Sequence, residues 1–126
     1  TEDWLAWQVH APEDYDFCPD WREPVYFVLC RGACPRERRP FACRTFPVTP
    51  YLTPGGELEL RLDDDAVPVC PLVRGGGINF LDRRFLARAR LAWEELIKDP
   101  RIGAHVEWES RNRDRTAGEP WRKLLR

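Results

Sequence analysis

The period of the hydrophobic positions changes several times along the chain. Residues 25–29, Val-Tyr-Phe-Val-Leu, are an unbroken β-branched and aromatic run, which predicts a strand. Residues 46–52 read as a second strand, but Pro47 and Pro50 confine it to a sheet edge or a bulge. The turn signal Pro54-Gly55-Gly56 follows, and then Leu58, Leu60 and Leu62 alternate with Glu57, Glu59 and Arg61. Residues 44–62 therefore predict a β-hairpin, with Phe46 as a core anchor. The period switches to that of a helix over residues 79–99. Phe85, Leu86, Ala89, Ala92, Trp93, Leu96 and Ile97 form one apolar stripe, and Asp82 stands in the N-cap position. The arginines 83, 84, 88 and 90 fall mostly off that stripe. Asp99-Pro100 closes this helix and opens a shorter one, with Ile102, Val106 and His105 on its apolar side. At the front, Trp4, Leu5 and Gln8 share a helical face, which Pro12 cuts short. Arg74-Gly75-Gly76-Gly77 reads as a flexible linker. Residues 111–126 read as a partly ordered polar tail, anchored by Trp121 and Leu124-Leu125.

These elements predict an α+β fold: a small, irregular, cysteine-bearing β-hairpin region packed on two C-terminal helices. The length of 126 residues fits one domain, residues 1–126. A core of that size gains from a staple such as a metal or a disulfide. No apolar run approaches the roughly 20 residues of a spanning helix, so no membrane segment is expected. Thr1-Glu2-Asp3 lacks the basic and apolar regions of a signal peptide, so a cytoplasmic location is expected. The chain contains no Met, even at position 1, which predicts a processed or trimmed N-terminus.

The net charge of −1 conceals a segregated pattern. Residues 1–20 carry six acids and no Lys or Arg, whereas residues 21–45 carry six Arg and two Glu. With no basic excess overall, nucleic acid is not expected as a partner. The arginines cluster where the cysteines are. The five cysteines are Cys18, Cys30, Cys34, Cys43 and Cys70, and Cys30-Arg31-Gly32-Ala33-Cys34 is a C-x3-C pair whose glycine permits a tight knuckle. Four thiolates form a closed tetrahedral zinc site or hold an iron–sulfur cluster, and soft ligands favour these over magnesium and calcium. Four thiolates around Zn2+ leave a net −2. Arg31, Arg36, Arg38, Arg39 and Arg44 offer compensating charge and donors.

The stretch Arg39-Pro40-Phe41-Ala42-Cys43-Arg44-Thr45-Phe46-Pro47 resembles the Arg-Pro-x-x-Cys-Arg-x-Phe-Pro signature of the YkgJ-type cysteine-cluster family. Cys34, nine residues before Cys43, and Cys30 upstream of it match further cysteines of that family. The resemblance covers residues 28–50 and implies a zinc- or iron-chelating domain without fixing a reaction. The family's leading C-x-x-C-x-x-x-C-C cluster is missing here. It is expected either to precede residue 1 or to have been lost in a divergent branch. The expected ligands are Cys30, Cys34, Cys43 and Cys70, with Cys18 as alternate. Zn2+ is the expected ion, and iron or a [4Fe–4S] cluster is the alternative.

Two other readings compete with metal binding. In one, the Arg36–Arg44 face engages an acidic partner or nucleic acid. In the other, the cysteines are reduced, buried packing residues without metal. His105 reads as a packed or surface residue, His10 as a weaker extra ligand, and Asp63-Asp64-Asp65 as a solvated turn rather than a hard-cation site. The six Trp read as core and docking residues. No G-x-S-x-G motif occurs and Ser110 is the only serine, which argues against a serine hydrolase. No P-loop is present. No substrate is legible.

Overall fold

The computed structural model describes residues 5–14, 21–32, 34–66 and 69–117. The chain divides at Pro40 into two compact units, Thr1–Pro40 and Phe41–Arg126.

In the first unit, β1 (Leu5–His10) pairs antiparallel with β2 (Val25–Cys30). The strand expected at 25–29 is present and one residue longer. The N-terminal helical face is corrected to a strand. Trp7 and Val9 alternate with Gln8 and His10, a period of two, and they stand opposite Val28 and Tyr26 in the register. Trp7 meets Tyr26 edge-to-face at 6.4 Å, the diagonal aromatic pair typical of a hairpin. Trp7 is nonetheless 60% exposed, so it is no core residue. His10 sits in β1, its ring Nε2 at 3.4 Å from the Gln8 side-chain oxygen. Two 3-10 turns, Pro12–Asp14 and Arg36–Arg38, complete the described part of this unit.

The second unit starts with a short helix, α1 (Phe41–Thr45), and then the hairpin of β3 (Val48–Leu52) and β4 (Leu58–Leu62). The expected hairpin is thus present from residue 48. Thr53 closes its loop, accepting the Glu57 amide on its hydroxyl while its own amide donates to the Glu57 carbonyl. Phe46 is 40% exposed, and the buried anchors are its neighbours Thr45, Pro47 and Val48. Residues 41–45 are helical, so the strand begins only after Pro47.

The flexible linker expected at Arg74-Gly75-Gly76-Gly77 is corrected: residues 74–76 belong to α2 (Pro71–Gly76), with Pro71 in the first turn. A 3-10 turn, Gly77–Phe80, follows. Then comes α3 (Arg83–Leu96), the helix expected within 79–99. Asp82 caps it, accepting the amides of Arg84 at 2.7 Å and Phe85 at 3.2 Å.

Asp99 caps α4 (Pro100–Thr116) through the Arg101 amide. That amide and the Arg101 guanidinium hold the Asp99 carboxyl below its ordinary value. The tail expected from residue 111 is corrected: residues 111–116 continue α4, because they carry the bonds that fasten it to the hairpin. Trp121 and Leu124-Leu125 lie outside the described residues.

The core forms where Val48, Leu81 and Ala89 bury together and Leu60, Leu62, Ile78, Phe85 and Leu86 pack around them. One face of the hairpin therefore rests on α3 and the turn before it, as the leucine alternation predicts. The α4 helix holds the edge strand β3 by polar contacts instead. Ser110 accepts the Leu52 amide at 2.9 Å, Arg111 donates to the Leu52 carbonyl, and Tyr51 donates to the Asp114 carboxylate at 2.8 Å. Main-chain groups at a sheet edge lack strand partners, and these side chains supply them. The fold is thus α+β, with the hairpin against two C-terminal helices. No helix among the described residues is long and apolar enough to cross a membrane.

Candidate metal centre

Each described candidate cysteine is positioned by a local backbone signal. Cys30 ends β2 and is exposed. The chain then turns at Gly32, whose φ of 82° lies in the left-handed region that favours glycine. Cys34 beyond it is half-buried. Pro40 holds Arg39 extended, at φ −60° and ψ 134°, and so delivers the chain to α1.

Within α1, Phe41 packs edge-on against Trp93 of α3, with ring centroids 5.0 Å apart. Thr45 is buried, and its hydroxyl lies at 3.4 Å from the Ala42 carbonyl. These two anchors fix the inner side of the helix and leave Ala42, Cys43 and Arg44 exposed. Cys70 precedes α2 and is half-buried. Its amide donates to the carbonyl of fully buried Ala66 at 2.7 Å.

Cys30 and Cys34 belong to the first unit, Cys43 and Cys70 to the second. All four are free thiols. Among the described residues, neither unit groups three or more His, Cys, Asp or Glu side chains into a metal cage. The donor chemistry still suits a soft metal, because four thiols, none of them buried, are available for ligation. Cys18 lies outside the described residues. Arg31, Arg36, Arg38 and Arg39 are exposed in the first unit, so the arginine-rich stretch read as one face is divided at Pro40.

The other sequence candidates fall into structural roles. Asp63 accepts the Asp65 amide at 2.9 Å, a local turn bond. Asp64 lies 3.3 Å from the Arg113 guanidinium, which also donates to the Leu62 carbonyl. The acidic run is thus a turn, as expected, and it is also tied to α4. His105 is half-buried in α4.

The residues that sequence reasoning passed over are Arg84 and Arg88, which it placed only as mostly off the apolar stripe of α3. A signal was available: neither has an acidic residue three or four positions away, whereas Arg90 pairs with Glu94 at 3.0 Å. In comparisons with protein families, curated proteins and solved structures, nothing matches the chain.

Proposed function

We propose that the chain binds a metal ion through cysteine thiolates, with Cys30, Cys34, Cys43 and Cys70 as ligands and Zn2+ as the ion. One observation carries this reading: four free cysteines, two exposed and two half-buried. Free Cys is among the most buried residue types, so a set of accessible thiols calls for a use other than packing. The likeness of residues 39–47 to a cysteine-cluster signature supports the same use.

Zinc would supply a structural cross-link to a chain whose core is small. The chain's own contribution is to hold the thiols accessible and to surround them with positive charge. Arg31 and Arg36 lie close in sequence to Cys30 and Cys34, and Arg44 follows Cys43, so each offers charge against the net −2 of four thiolates around Zn2+. Iron or a [4Fe–4S] cluster is the alternative occupant and Cys18 the alternate ligand. Reduced thiols suit a cytoplasmic setting, which belongs to this proposal.

Single Cys→Ser variants of the full chain test the ligand set. Replacing Cys34 or Cys43 is expected to lower the metal content per chain and the melting temperature together. Full metal content in both variants would remove these residues from the ligand set.

A further inference from the structure

We propose that the groove between α1 and α3 binds a small organic anion with an apolar body, an aryl or acyl carboxylate or phosphate monoester. This inference is independent of the cysteines. The groove is open to solvent and offers about 750 Å3, a volume within the range of small-molecule sites. Phe41, Phe85 and Ala89 give it apolar walls, and Arg44, Arg84 and Arg88 bring three guanidinium groups to it. Its one acidic lining residue, Asp82, already accepts two amides as the cap of α3.

The groove therefore carries a positive excess, three arginines against the single carboxylate of Asp82. Among the described residues, neither Arg84 nor Arg88 has a carboxylate partner. They stand one turn apart on the same helix, a like-charge spacing that mildly destabilises a helix and that a bound anion would relieve. A guanidinium fork matches the planar oxygens of a carboxylate or phosphate, and the phenylalanine rings suit an apolar body.

The dimensions favour a small ligand over a peptide. The α1 wall has five residues and is about 7.5 Å long, the span of roughly two extended residues.

The test is calorimetric titration of the full chain at low salt with four probes: benzoate, phenyl phosphate, benzyl alcohol and inorganic phosphate. Saturable binding of at least one aryl anion is expected, and the tighter of the two identifies the head group. Benzyl alcohol lacks the charge and inorganic phosphate lacks the body, and each is expected to bind on the order of tenfold more weakly or worse. The double variant Arg84→Gln and Arg88→Gln alters two exposed side chains, relieves their repulsion, and is expected to keep or slightly raise the melting temperature while losing about tenfold or more in affinity. Unchanged affinity in that variant would overturn the proposal. So would equal binding of inorganic phosphate and phenyl phosphate, or no saturable binding of either aryl anion.

Discussion

Ser110 shows how a residue can be informative in the sequence for one reason and important in the structure for another. In the sequence it stands out as the only serine, outside any G-x-S-x-G motif. In the fold it is 2% exposed, donates to the Val106 carbonyl at 2.7 Å and accepts the Leu52 amide at 2.9 Å. The second bond joins residues 58 positions apart and is invisible to any local pattern. Ser110→Ala would leave the Leu52 amide without this partner, and a loss of about 1–3 kcal/mol is expected by urea denaturation. An unchanged midpoint would show that water replaces the hydroxyl there. Phe46 teaches the converse. Its size marked it as a core residue, yet the smaller Thr45 and Val48 are buried, because the chain passes from helix to strand at this point and burial follows the backbone direction.

Elements were legible where the local signals agreed. In α3 the apolar stripe, the Asp82 cap and the Asp99-Pro100 stop all pointed to one helix, and the hairpin had both alternation and a turn signal. The β1 strand was missed because it is only six residues long and its Leu5 and Gln8 could be placed with Trp4 on a helical face just as well. The α4 helix was cut short because its last two turns are polar, and they are held by bonds to the hairpin rather than by an apolar stripe.

Two substitutions test this level. Asp82→Ala is expected to cost about 0.5–2 kcal/mol through loss of the α3 cap, whereas Asp82→Asn should stay close to wild type. Equal losses in the two variants would assign the effect to charge instead of capping. Gly103 lies where α4 leaves the end of α3, and an added Cβ would stand 2.8 Å from the Ile97 carbonyl oxygen. Gly103→Ala is therefore expected to destabilise by about 1–3 kcal/mol, even though alanine is the better helix former. A gain in stability would mean that the turn yields at no cost.

At the scale of the whole molecule, the division at Pro40 falls inside the stretch that carries the family resemblance. The local shape of each cysteine was readable from its neighbours: Gly32 beside the C-x3-C pair, Pro40 before α1, and Pro71 after Cys70. Which thiols act together was not readable, because spacing along the chain reports the path between ligands and not their grouping in space. The exposure of the thiols is what connects the sequence resemblance to a chemistry. If those thiols hold a metal, the protein as purified must contain it. Metal analysis of the anaerobically purified chain, with an absorption spectrum of the same sample, measures this most directly. The account predicts about one zinc per chain and no visible band, with iron and a visible charge-transfer band as the signature of its alternative occupant. A fully reduced, folded chain with no bound metal, which takes up none when zinc or iron is added, would contradict it.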